Sequence, residues 1–195
     1  VAAYGADSFD AMLDEQKPDT IVVTTPDFLH ASYIVRAFEA GCDVICEKPM
    51  TIDLASLKQI TDAQKRTGRQ VRVTFNYRYS PARTQVKDVL ASGTIGEITA
   101  VDFRWHLDRV HGADYFRRWH RQKSNSGGLL VHKSTHHFDL LNWWLGSVPE
   151  QVTASGRRAF YRPETAIDLG LEGRGMRCAT CEVADKCDFE LDLEQ

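Results

Sequence analysis

Lys48 lies in the stretch D43-V-I-C-E-K-P-M50, in which an apolar run stops abruptly at an acid, a base and a proline. A lysine buried beside a ligand can donate a hydrogen bond to a substrate oxygen or relay protons. The competing reading is a Glu47–Lys48 surface pair, which stabilises little. Adjacent strand residues point to opposite faces, so Glu47 is expected to orient backbone or a cofactor ribose while Lys48 faces the reaction. A second group is His132, His136 and Asp139, spaced i, i+4, i+7 in LLVHKSTHHFDLLNWWLG. On a helix this spacing stacks them on one face, with Trp143 continuing the stripe and Leu130, Phe138 and Leu141 on the core side. An imidazole titrates near neutrality and can take a proton from an alcohol, and Asp139 could orient it. H-x-x-x-H is also metal spacing, but Lys133 stands where a zinc peptidase has glutamate and would repel a cation. Buried structural histidines are the third reading, and His137 points away from the stripe. A third group, Cys178, Cys181 and Cys187 in C-x2-C-x5-C, has the density of a structural zinc site. Asp185 or Asp188 could supply a fourth ligand; free thiols are the alternative.

The elements that must position these groups are legible in part. SFDAMLDEQ (8–16) has helical spacing with Ser8 as N-cap, and DTIVVTTP is a continuous apolar run with β-branched residues. Residues 28–40 return to helical spacing and stop at Gly41; DVIC is a second short strand; Asp53 caps a helix that ends at Gly68; QVRVTF (70–75) is a third strand. This alternation predicts a parallel sheet covered on both faces. Ser80-Pro81 opens another helix, which Gly93 closes. Residues 97–107 and EQVTASGRR (150–158) read as strands of a half-exposed sheet, and 108–126 as a polar, Arg-rich loop. The fold class expected is therefore α/β: part of a parallel-sheet domain, then part of an α+β domain, with the boundary near 74–78. Three loops, T24-T25-P26-D27-F28-L29-H30, E47-K48-P49 and N76-Y77-R78, leave the carboxyl ends of the strands, where ligands of such sheets sit.

Composition narrows the function classes. The chain has 195 residues, 43% hydrophobic and 26% charged, with a net charge of −3 that offers nucleic acid or an anionic membrane no electrostatic attraction. No window approaches the ~18 uninterrupted apolar residues of a membrane span. The five cysteines, an odd number with two in apolar context, fit a reducing compartment, so the expectation is cytoplasmic. No G-x-G-x-x-G occurs, and residue 1 lies immediately before a helix; the chain is therefore expected to begin after a phosphate-binding unit and to be truncated at its other end too.

TTPDFLH, AGCDVICEKPMT, FNYRY and GGLLVHKSTHHFD together resemble, in order and spacing, the Gfo/Idh/MocA family of sugar and cyclitol oxidoreductases. The resemblance covers roughly 8–157. It implies that residues 1–75 are the C-terminal part of an NAD(P)-binding Rossmann domain. Residues 76–195 would then be a truncated substrate and oligomerisation domain with a mostly antiparallel sheet. It implies NAD or NADP as cofactor, a small sugar or cyclitol as substrate, and homo-oligomers formed through the C-terminal sheet. Lys48 matches the active-site lysine of the family and His136 its catalytic histidine. Thr24, Thr25, Pro26, His30, Glu47, Lys48 and Pro49 match positions that line the dinucleotide, and Asn76, Arg78 and Trp119 lie near where cofactor and substrate meet. The sequence departs from the family's D-x-G-x-H, because His132 stands at the aspartate position and is followed by Lys133 and Ser134. Either histidine could then handle the proton. The activity implied is hydride transfer between nicotinamide and a hydroxyl-bearing carbon of a sugar, sugar acid or cyclitol. The alternatives are an NAD-dependent glycosidase or lyase on the same scaffold, or a non-catalytic sugar sensor. This stretch alone is expected to turn over nothing.

Overall fold

The computed structural model describes residues 2–191. In chain order the elements are α1 (Phe9–Gln16), β1 (Thr20–Val23), α2 (His30–Glu39), β2 (Asp43–Cys46), α3 (Leu54–Thr67), β3 (Val71–Val73), α4 (Pro81–Ala91), α5 (Arg109–Arg117), α6 (Lys123–Ser126), α7 (Leu129–His132), α8 (Thr135–Leu145) and α9 (Pro163–Asp168). They fall into two compact units, one of residues 1–99 and 122–148, the other of 100–121 and 149–195.

In the first unit β1, β2 and β3 form a parallel sheet in that order. Val23 lies level with Cys46, and Cys46 with Val73, so all three strands end on one line. The ladder runs past that line, with Glu47 N–H bonding to Val23 O (3.0 Å) and Thr74 N–H to Cys46 O (2.9 Å). Alternation along β2 sends Val44 and Cys46 inward, onto Ile34, Phe38 and Ile60 of α2 and α3 and Leu13 of α1. Each large side chain fully buried there contributes about 1.5–3 kcal/mol. The next parity is different: Val22 and Ile45, in register, are 65% and 36% exposed. The expected cover on both faces is thus corrected. Among the described residues α1, α2 and α3 share one core on one face.

Local chemistry explains the boundaries. Asp53 caps α3 by accepting from Ser56 N–H (2.7 Å), and Gly68, at φ +72°, ends it in the left-handed region. Ser8 precedes α1 but makes no side-chain cap bond. Pro81 occupies the first turn of α4. Gly127 ends α6 at φ +70°, where a Cβ would stand 2.8 Å from Ile52 O and 2.9 Å from Val131 Cβ. The first glycine of the pair is therefore what lets α7 approach the loop after β2. The single helix expected over this region is two. The chain breaks at Lys133–Ser134, where Ser134 N–H reaches back to Leu129 O (3.2 Å), a widened turn, and serine then caps α8 poorly.

In the second unit Asp108 caps α5, accepting from Val110 N–H (2.8 Å) and His111 N–H (3.2 Å), so part of the expected polar loop is helical. Tyr161 closes over Gly112 and hydrogen-bonds Arg109 O. Ala113 and Leu171 are buried. Residues 97–107 and 150–158 carry no strand among the described residues, correcting that expectation. A strand needs a hydrogen-bonding neighbour, and Val101 and Val152 lie exposed without one. For the two readings of the cysteine cluster, the zinc site and the free thiols, the geometry is as follows. Cys178, Cys181 and Cys187 are free and half-buried, Cys181 Sγ accepts Gly175 N–H (3.2 Å), and no three metal-binding side chains gather among the described residues.

Candidate active site

The level strand ends bring the three expected loops to one edge of the sheet. His30, at the start of α2, ties two of them together. Its Nε2 lies 2.7 Å from Thr25 O and its Nδ1 2.8 Å from Pro49 O, with the ring 1% exposed. Both ring nitrogens of His30, a position the resemblance places along the dinucleotide, face backbone carbonyls.

Around that clasp two histidines meet different partners. His132, at the end of α7, sits with Nδ1 2.5 Å from Oδ2 of Asp27, a buried carboxylate in the turn after β1. Lys48 Nζ donates to the carbonyl of the same His132 (2.8 Å). Burial lowers the Lys48 pKa; Asp27 and Glu47 oppose that shift, and Lys133 adds to it. His136, in the first turn of α8, is buried and stacked on Tyr77, with ring centroids 3.9 Å apart and planes 7° from parallel. Lys133 Nζ donates to the Tyr77 hydroxyl (3.0 Å), and the Arg83 guanidinium lies 4.4 Å over the Tyr77 ring. Burial first, then Lys48, Lys133, His137 and Arg83, push the His136 pKa down to about 4.

Asp139, expected to orient a histidine, pairs with Arg78 instead, taking Nε at 2.7 Å and Nη2 at 2.5 Å. The break after His132 is the physical reason: the three residues of the supposed stripe face three different partners. The carboxylate that does hold a histidine is Asp27, which spacing could not find because it lies 105 residues away from His132. Its one sequence signal is an acid directly after a buried strand and a proline. Tyr77 was likewise visible only as a loop aromatic. Of the other expected positions, Thr24, Pro26 and Asn76 are exposed, Glu47 is half-buried and Pro49 is buried. Trp119 belongs to the second unit, 43% exposed. An apolar cleft of about 450 Å³, walled by Met50, Leu57, Val73, Phe75, Val131 and Phe138 among others, opens beside this edge; it holds none of the ionisable groups.

A model of the oxidoreductase family's NAD-binding Rossmann fold, GFO_IDH_MocA, matches residues 2–75, and a model of the family's C-terminal alpha/beta domain matches residues 87–181. The chain belongs to the Gfo/Idh/MocA family. It is 43% identical over 189 residues to YteT of Bacillus subtilis (strain 168), which is named as an oxidoreductase, covering 97% of this chain and 44% of that protein. To the inositol 2-dehydrogenase of Rhizobium meliloti (strain 1021) it is 30% identical over 155 residues, 78% of this chain and 45% of that one. Among solved structures, the myo-inositol 2-dehydrogenase of Lactobacillus plantarum superposes with a TM-score of 0.57 at 25% identity, over 70% of this chain and 40% of that one. The WlbA dehydrogenase of Thermus thermophilus, solved with NAD and UDP-GlcNAcA, gives 0.56 at 25% identity over 72% of this chain and 46% of that one. The chain spans less than half the length of these relatives.

The Gfo/Idh/MocA Rossmann domain is an NAD-binding one, and the strand-end residues fit a polar ligand. The Thr25 and Thr74 hydroxyls and His136 Nδ1 are buried without a hydrogen-bonding partner, a costly state that a bound polar group relieves. No Gly-rich turn for a diphosphate occurs in the 195 residues.

Proposed function

We propose that this chain forms part of an NAD(P)-dependent dehydrogenase that oxidises a CH–OH group of a sugar, sugar acid or cyclitol. The observation that carries the reading is the Lys48 ammonium at the tip of a parallel strand, bonded to the His132 carbonyl at 2.8 Å, with two histidines beside it. The relatives named as inositol dehydrogenases support the substrate class. When bound, the nicotinamide exchanges a hydride with the carbinol carbon. Lys48 has three donors and spends one on His132 O. Another donates to the substrate oxygen and stabilises negative charge as it develops. A histidine of the pair His132 and His136 takes the hydroxyl proton. Thr24, Thr25, Pro26, Glu47, Pro49, Asn76 and Arg78 are proposed to surround the cofactor and substrate. Arg78 does so as a guanidinium already fixed by Asp139, and His30 acts by holding the loops.

The division into a nucleotide-binding part (1–75) and a substrate part (76–195), an antiparallel sheet in the complete second domain, and homo-oligomers built through that sheet belong to the same proposal. The test is the complete open reading frame assayed with NAD+ and NADP+ against myo-inositol, scyllo-inositol, simple aldoses and their acids. Growth of nicotinamide absorbance with at least one of them is the expected result. Silence across the panel, with the nucleotide shown to bind, overturns it.

A further inference from the structure

Lys133 carries a charge that its neighbours do not answer. Lys48 feels the carboxylates of Asp27 and Glu47, and the Arg78 guanidinium is held by Asp139. Lys133, half-buried at the turn between α7 and α8, bonds a neutral group: its ammonium donates to the Tyr77 hydroxyl (3.0 Å) and lies 5.4 Å from the centre of that ring. Among the described residues no carboxylate bonds it. The Tyr77 ring is the one stacked on His136, so the ammonium belongs to the surroundings of that imidazole. The charged and titratable groups that act on His136 are Lys48, Lys133, His137 and Arg83, and all of them are basic. Lys133 also repels the Lys48 ammonium. Like charges gathered beside a buried ring cost energy that a bound anion removes. A ligand is indicated independently by His136 Nδ1, which is buried without a hydrogen-bonding partner in a ring 4% exposed. Lys133 has three donors and spends one on Tyr77. One ammonium without a counter-charge fits a single negative charge, as on a carboxylate.

We propose that Lys133 is a specificity-determining residue that pairs with a carboxylate of the substrate, so that the substrate is a sugar acid and not a neutral sugar or cyclitol. This deepens the dehydrogenase reading and rests on it. The ammonium keeps Tyr77 as one acceptor and gives its other donors to the carboxylate, a charge-assisted contact. The bound carboxylate offsets the positive field on His136, which burial first, and those basic groups next, hold at about 4. A base that weak draws little on a hydroxyl proton, and an acid substrate brings the charge that strengthens it. A neutral sugar brings no such charge. The other anion an ammonium could take is a phosphate of the cofactor, and the KM for NAD+ separates the two.

The test gives the complete protein NAD+ and matched pairs, glucuronate with glucose and galacturonate with galactose, which differ only in a carboxylate against a CH2OH group; myo-inositol is the neutral cyclitol. The acid of at least one pair is expected to have the larger kcat/KM, by roughly 10–100-fold. Lys133→Met should erase that preference, chiefly through KM for the acid, and Lys133→Arg should keep most of it. An equal or reversed preference in the wild type overturns the proposal, as does turnover of myo-inositol alone. A Lys133→Met variant that keeps the preference overturns it as well. If Lys133→Met raises KM for NAD+ and not for the acid, the ammonium reads a cofactor phosphate and the proposal falls. The wild-type comparison decides even where a variant fails to fold. Silence on every substrate, with NAD+ bound, sinks the dehydrogenase reading, and titration calorimetry of the NAD+-loaded protein then decides the carboxylate contact by itself. Tighter binding of an acid than of its neutral partner, lost in Lys133→Met, upholds the contact; equal binding, or none, overturns it.

Discussion

His132 and His136 are four residues apart in a run that looks like one helix, yet they live in opposite electrostatic worlds. One shares a hydrogen bond with a buried carboxylate 105 residues upstream, and the other lies in a dry stack among cations. The cause is the two-residue break at Lys133–Ser134, which turns the end of α7 toward the first strand loop and the start of α8 toward the third. Spacing along a sequence predicts a shared face only while the helix continues. Here a widened turn between two ionisable groups gives them different partners.

Lys48 touches both environments, so its removal is the hardest test of the contrast. Lys48→Met should cost the complete enzyme roughly 10²–10³-fold in kcat, the usual loss for a donor aimed at a developing oxyanion. It should also raise the His136 pKa from about 4, because Lys48 is the second-largest cause of its depression after burial. Measured by turnover and by NMR titration, a fall in rate with His136 unmoved would mean that Lys48 does not reach both sites. Next in size is Asp139→Asn. The Asp139 side chain is 5% exposed and holds a bidentate Arg78 whose guanidinium pKa it raises. Breaking a buried pair typically costs 3–5 kcal/mol. Arg78 keeps 33% of its side-chain surface in water, so chemical denaturation should register about 2–3 kcal/mol, at the low end of that range or below it. The His132 ring signals should not change, since Asp139 serves the other region.

The uneven legibility of the chain has the same root. The β–α alternation, the Asp53 cap, the Gly68 stop and the three strand-end loops could be read because each depends on neighbours within one turn or one strand. Lys48 stood out for the same reason. The Asp27–His132 and Arg78–Asp139 pairs join residues 105 and 61 apart, and no local period encodes them. The strands read at 97–107 and 150–158 failed for a complementary reason: alternation gives a segment a preference, but the ladder partner supplies the bonds. The open parity of Val22 and Ile45 belongs to this class too, since a buried-looking apolar run does not say how many of its faces have a partner.

Acid should probe the His136 environment without any mutation in the Asp27 pair. His136 is held at about 4 in the folded protein against an ordinary 6.5. Between those values the unfolded chain binds more protons, so folded stability rises with pH. The contribution is complete above about pH 6.5 and is lost as the pH falls toward 4. Lowering the pH from neutrality to about 5 at fixed temperature should remove on the order of 2 kcal/mol through this residue alone. His136→Gln should flatten that part of the stability–pH curve relative to wild type; two parallel curves would show that His136 is not the group responsible.

The smallest expected effect separates the regions most cleanly. The Tyr77 ring lies flat on His136 and its hydroxyl accepts from Lys133, so it contributes both a stack and the dryness that burial gives His136. Tyr77→Leu keeps an apolar side chain but loses the stacked face, for about 1 kcal/mol of stability. Leucine covers the imidazole less completely, so water returns and the His136 pKa should climb from about 4 toward its ordinary value. His132 draws its orientation from Asp27 and its backbone anchor from Lys48, and Tyr77 takes part in neither bond. Its tautomer should therefore be indifferent to the change. If the His132 signals shift together with those of His136 in Tyr77→Leu, the two rings belong to one coupled network, and the separation made by the break at Lys133–Ser134 is geometric only.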